Sequence, residues 1–97
     1  MIDKKETFKE LLDRERVFAP CIWDCMSAKA SEMSGYKAAV LSSGCMSFSL
    51  RGMPDMGVLS IDETIMMTER ISNVSPLHLI VDAEDGYGES PINAYWT

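Results

Sequence analysis

The chain is poor in histidine, cysteine, basic residues and long apolar runs. One histidine and three cysteines occur in 97 residues. His78 cannot complete a zinc set with Cys21 and Cys25, which stand four apart. An odd cysteine count without a disulfide pattern predicts reduced, structural thiols at Cys21, Cys25 and Cys45. No apolar run approaches the roughly 20 residues that span a bilayer, so no membrane partner is expected. Nine Lys and Arg stand against fifteen Asp and Glu, a net charge of −6, which argues against nucleic acid as a partner. The opening residues, Met1 to Glu6, hold no apolar signal core, and a cytoplasmic location is the default expectation. The sequon Asn73-Val74-Ser75 carries no meaning there.

What remains is an ordinary globular composition, 46% hydrophobic and 25% charged, in a length that allows one small domain at most. Phe8, Leu11 and Leu12 at helical spacing predict a short helix over Thr7 to Arg14. Val17 to Ile22 reads as a first strand. A helix follows, capped by Asp24 or Ser27, with Ala28, Ala30 and Met33 inward and Gly35 as its stop. Ala38 to Leu41 is a second strand that ends in Ser42-Ser43-Gly44. A Gly-, Pro- and Met-rich loop is expected from about Ser47 to Ser60. Ser60-Ile61-Asp62-Glu63 is a capping box, opening a helix with Ile65, Met66 and Ile71 on its apolar stripe. A third strand follows, and Pro91 suits the first turn of one more helix.

Strands alternating with helices imply α/β architecture, a parallel sheet with right-handed crossovers. Three such strands would leave both sheet edges open. The expectation is therefore that residues 1–97 form the N-terminal part of a single larger (β/α)₈ barrel domain, its first three strand–helix units preceded by a helix.

The third strand is the most telling stretch. Leu77 to Val81 is apolar and β-branched, and it breaks into Asp82-Ala83-Glu84-Asp85-Gly86-Tyr87-Gly88. A buried parallel strand opening into an active-site loop has this pattern. Strand alternation predicts Asp82 and Glu84 on one side and Asp85 on the other. Neighbouring carboxylates repel unless a hard cation lies between them, and Mg²⁺ is the common choice, with Mn²⁺ as the alternative. The other distinctive residues, Trp23, Asp24 and Ser42-Ser43-Gly44, also follow strands. In a barrel all these points share the catalytic face.

Leu41-Ser42-Ser43-Gly44, Gly52-Met53-Pro54-Asp55-Met56-Gly57 and Val81 to Gly88, in this order and spacing, resemble the isocitrate lyase/phosphoenolpyruvate mutase superfamily. Trp23-Asp24-Cys25-Met26-Ser27-Ala28 resembles its first strand–helix junction. The resemblance covers nearly the whole chain. It implies a Mg²⁺-dependent enzyme that cleaves a carbon–carbon bond in a small 2-hydroxy or 2-oxo carboxylate through an enolate. By matching position, Asp82 and Glu84 would be the metal carboxylates. Ser42, Ser43 and Gly44 would hold the substrate carboxylate, with Trp23 nearby. Asp55 would serve catalysis from a gating loop. The region around Met53-Pro54-Asp55 looks closer to the methylisocitrate or 2,3-dimethylmalate lyases than to the mutases. A mutase or phosphonopyruvate hydrolase branch and an oxaloacetate decarboxylase branch share these motifs. Full-length relatives form homotetramers.

This chain departs from the pattern in two places. Many relatives carry Ser-Gly-Gly where Ser42-Ser43-Gly44 stands, and Glu84 replaces the commoner Asp. The lyases' catalytic cysteine loop and a later metal-shell Glu are not among these residues, so 97 residues by themselves are expected to be inactive. Two further readings compete. One is a non-catalytic fragment. The other is a receiver-like Mg²⁺ module using Asp24 and Asp82, although receivers pair acids after the first strand and Asp24 stands alone.

Overall fold

The computed structural model describes residues 6–54 and 59–88. Its chain order is α1 (Phe8–Arg14), β1 (Cys21–Ile22), α2 (Cys25–Met33), β2 (Ala38–Leu41), α3 (Ser43–Arg51), α4 (Ile61–Val74) and β3 (His78–Val81). The strands form one parallel sheet in the order β1-β2-β3. Cys21 pairs with Val40 and Ile22 with Leu41, while Ala38 to Leu41 pair in step with His78 to Val81.

Each helix begins where a side-chain oxygen replaces a missing backbone partner. Thr7 caps α1, Asp24 caps α2, Ser42 caps α3 and Ser60 caps α4. The expected capping box at Ser60 and Glu63 is present, and Arg51 pairs with Glu63 at 3.0 Å. Asp24 and Ser27 form a second box, so both candidate caps act together.

Period-two alternation gives the sheet two faces. Ala39 and Leu41 face a core shared with Ile22, Ala28 of α2, Met46 of α3 and Met67 and Ile71 of α4. Leu59 and Leu77 close it. Burying a side chain such as Ile71 is worth about 1.5–3 kcal/mol relative to exposing it. On the other face, α1 meets the start of β3. Phe8 stacks on His78 with ring centroids 5.6 Å apart.

Several local expectations are corrected. The first strand is limited to Cys21–Ile22, although Val40 N–H already donates to the Pro20 carbonyl at 2.8 Å. Proline has no N–H to extend the ladder. The expected loop from Ser47 is helical up to Arg51. Ser42 starts α3, and Gly52 stops it in the left-handed conformation, φ +65°, with its N–H bonded to Phe48 O. Such an end suits glycine, which has no Cβ to clash. The glycine therefore terminates a helix that extends into the region expected to be loop.

Only Leu11 is buried in α1, with Leu12 exposed. Only Ala28 is buried in α2, with Ala30 and Met33 exposed. In α4 the buried stripe is Thr64, Met67 and Ile71, and Ile65 is exposed. A short helix on one side of a three-stranded sheet buries a narrow seam, so neighbouring apolar positions stay outside. Asp55 and the helix expected from Pro91 lie outside the described residues.

Candidate active site

The ladder continues one residue past each strand. Ser42 N–H donates to Ile22 O at 3.0 Å, and Asp82 N–H donates to Leu41 O at 3.2 Å. Parallel pairing thus sets Trp23, Ser42 and Asp82 along one edge, at the carboxyl ends of the three strands. Ligands of α/β sheets gather at such an edge.

At β1, the cap holds the turn closed. Ser27 N–H donates to Asp24 Oδ1 at 2.7 Å, and the Trp23 and Asp24 N–H groups donate to Ser27 Oγ at 3.0 and 3.1 Å. Asp24 is thereby committed to the helix end. Trp23 remains 38% exposed. It lines a cavity of about 570 Å³ with Ser42, Gly44, Cys45, Phe48 and Ser49. Three of the four residues expected to hold the substrate are therefore brought together. Ser42 Oγ accepts the Cys45 N–H at 3.3 Å. A hydroxyl that accepts in this way still carries a proton to donate. The first turn of α3 adds N–H groups and the positive end of its dipole, a setting that favours a carboxylate.

Ser43 is placed differently. It is 1% exposed, and its hydroxyl donates to Asp82 Oδ2 at 2.8 Å. The other Asp82 oxygen, Oδ1, accepts the Glu84 N–H at 2.9 Å. The Glu84 N–H, then the Ser43 hydroxyl, and more weakly the Ser43 N–H, hold the Asp82 carboxyl below the usual carboxylate range against partial burial. Asp82 is thus an oriented anion at the end of β3.

Strand alternation does not extend to Glu84. The strand ends at Val81, and the chain turns at once. Glu84 sits at φ +53° and Tyr87 at φ +64°, left-handed values that cost non-glycine residues energy and concentrate at functional sites. The turn is held by Gly86 N–H to Ala83 O, Tyr87 N–H to Asp85 Oδ1, and a 2.7 Å bond between the hydroxyls of Tyr87 and Thr64. Glu84 and Asp85 both line a groove of about 820 Å³ with Leu59, Ser60, Ile61 and Tyr87. Asp82 is not among its lining residues. The expectation that Asp82 and Glu84 share a side while Asp85 faces away is therefore replaced by a turn that sends Glu84 and Asp85 to one groove.

Cys45, Phe48, Thr64 and Tyr87 join these two sites without having been singled out in the sequence. The spacing of Ser42, Cys45 and Phe48 by threes was a usable signal once the helix was known to start at Ser43. The Thr64–Tyr87 contact had none, because it joins residues 23 positions apart.

The family model described as phosphoenolpyruvate phosphomutase matches residues 8–95. The chain belongs to that family. This phosphomutase-family chain is 33% identical over 88 residues to an oxaloacetate decarboxylase of Paraburkholderia xenovorans, covering 90% of this chain and 29% of that protein. It is 38% identical over 66 residues to a 2-methylisocitrate lyase of Salmonella typhimurium, covering 68% and 22%. A crystal structure of 2,3-dimethylmalate lyase, a member of the PEP mutase/isocitrate lyase superfamily, superposes with a TM-score of 0.77 at 30% identity, over 89% of this chain and 30% of that one. The phosphomutase-family chain thus spans under a third of the length of these relatives. Its fold is the expected α/β arrangement, strand–helix units of a (β/α)₈ barrel with a helix in front. The α3 helix is an insertion into the expected order of elements.

Among the described residues no group of three His, Cys, Asp or Glu could enclose a metal ion. The donor chemistry nevertheless suits a hard cation. Asp82 is ionised and oriented, and the four lone pairs of its carboxylate exceed its three donors, the Glu84 N–H and the Ser43 hydroxyl and N–H. Mg²⁺ is commonly held by one or two carboxylates, with water and substrate completing its shell.

Proposed function

We propose that this chain carries the substrate and cation edge of a Mg²⁺-dependent carbon–carbon lyase for a small 2-hydroxy or 2-oxo carboxylate. The observation that carries the reading is the shared strand-end edge. It sets the Trp23–Ser42–Gly44 cavity beside an Asp82 that Ser43 and Glu84 hold in place. The relatives named as 2-methylisocitrate lyase and 2,3-dimethylmalate lyase support it.

In this reading, Ser42 donates its hydroxyl proton to the substrate carboxylate, and the first-turn N–H of Gly44 adds a second contact. Trp23 and Phe48 give the cavity its apolar wall beside the substrate. Asp82 holds the cation, with Glu84 as the second carboxylate, and Mn²⁺ can replace Mg²⁺. Mg²⁺, when bound, supplies a Lewis acid for the negative charge that develops on the substrate oxygen as the bond breaks. Asp55 closes the site from its loop. A homotetramer in the cytoplasm completes the proposal. Asp24 argues against the receiver reading, because its carboxylate is engaged in the α2 cap.

Decarboxylation of oxaloacetate is the second reading. It is favoured by 33% identity to a decarboxylase over 90% of this chain. The test uses the protein extended by whatever follows Thr97 in its gene. It is assayed with Mg²⁺ on 2-methylisocitrate, 2,3-dimethylmalate and oxaloacetate. Asp82→Ala is expected to weaken Mg²⁺ binding and abolish turnover. Retained turnover with unchanged Mg²⁺ affinity removes Asp82 from the metal. Turnover of oxaloacetate alone selects the decarboxylase.

A further inference from the structure

Ser43 is the one member of the expected substrate-binding set that does not line the Trp23 cavity. It occupies the first position of α3, where the resemblance expects glycine, and it is 1% exposed. A buried hydroxyl without a partner costs free energy, so its contacts matter. Its partner lies 39 residues away, across the β2–β3 edge: Oγ donates to Asp82 Oδ2 at 2.8 Å. Glycine at this place could not make that bond.

From these contacts we infer that Ser43 is a positioning residue that fixes the Asp82 carboxylate for a divalent cation, rather than a group that touches substrate. The inference rests on the reading of Asp82 as a cation ligand. A carboxylate on a strand end can rotate about two side-chain bonds. Here both oxygens are engaged, Oδ2 by the Ser43 hydroxyl and Oδ1 by the Glu84 N–H, and the Ser43 N–H adds a weaker third donor. Donors on both oxygens fix the carboxylate plane, and the remaining lone pairs face a set direction. Partners of this kind around a metal ligand change affinity about 10–100-fold when removed. The bond also ties the first turn of α3, and hence the Ser42 and Gly44 contacts, to the cation carboxylate. Substrate pocket and cation site are joined through one side chain.

The probe is Mn²⁺ alone, titrated into the purified full chain and followed by electron paramagnetic resonance. The amide resonance of Glu84 is recorded on the same samples without metal. Ser43→Ala and Ser43→Gly are expected to weaken Mn²⁺ binding about tenfold. Both are expected to shift the Glu84 amide, because Asp82 loses its hydroxyl donor and turns toward the two N–H donors that remain. Both fill less space than serine, so overpacking does not arise, and the glycine variant restores the residue that many relatives carry. If the wild-type chain binds Mn²⁺ and both variants bind it equally well, the positioning role is overturned while the metal reading stands. A weakened affinity with an unmoved Glu84 amide also overturns it, since Asp82 would then be oriented by something else. If the wild-type chain binds no Mn²⁺, the metal reading falls and this one falls with it.

Discussion

Removing the Tyr87 hydroxyl should loosen the acidic turn without unfolding the sheet. In Tyr87→Phe the 2.7 Å bond to Thr64 Oγ1 is lost. Thr64 is 5% exposed, and among the described residues its hydroxyl keeps a long contact to Ser60 O at 3.4 Å. A neutral hydrogen bond of this kind contributes about 0.5–1.5 kcal/mol net. The turn it restrains already carries Glu84 and Tyr87 in left-handed conformations, each costing on the order of 1–3 kcal/mol. A loss of about 1 kcal/mol therefore falls on a segment with little stability of its own. Local opening should become about fivefold more frequent. Hydrogen exchange at the Gly86 and Tyr87 amides reads this directly, because both are bonded within the turn. Exchange at Leu41 and Ile71, in the core, should not change. Thr64→Val should act alike, and the double variant should be no worse than either single one. Unchanged exchange at Gly86 and Tyr87 in both single variants would refute the latch. Additive effects in the double variant would show that the hydroxyls act separately.

The pH dependence of Asp82 follows from its donors. Its carboxyl lies below the usual aspartate value of about 3.9, chiefly through the Glu84 N–H and then the Ser43 hydroxyl. The stability it contributes is complete above the unfolded value and is lost as pH falls through the lower folded one. Carbon-13 NMR of the Asp82 carboxyl should show titration below the ordinary range, and titration at or above it would contradict the hydrogen-bond geometry. Asp24→Ala removes the α2 cap and should cost about 1 kcal/mol. That corresponds to roughly 4–8 °C in melting temperature for a domain of this size, read by circular dichroism. A shift below 1 °C would show that Ser27 holds the helix end alone.

What could be read without coordinates was whatever depends on neighbours in sequence. Caps need only a side-chain oxygen three residues from an N–H, so the motif at Ser60 was sufficient and the one before α2 was narrowed to Asp24 or Ser27. The strands at Ala38–Leu41 and His78–Val81 declared themselves by short β-branched and apolar runs between breakers. Their parallel order followed from helices that must cross over between them. The grouping of Trp23, Ser42 and Asp82 at one edge followed in turn, since parallel strands end on the same side.

The tertiary structure decided what depends on distance across the chain. Ser43 looked like a carboxylate binder because it stands between Ser42 and Gly44. Only the register Leu41↔Val81 places its hydroxyl 2.8 Å from Asp82. Glu84 and Asp82 looked like alternate residues of one strand. The turn after Val81 takes Glu84 out of the strand, because alternation holds only while the backbone stays extended. The stripe of α4 depends on which side of the helix the sheet covers, so Thr64, Met67 and Ile71 are buried and the more apolar Ile65 is not. Local hydrogen bonds and hydrophobic period are encoded residue by residue. Which buried hydroxyl meets which carboxylate is set by packing, and no short window of the chain contains both partners.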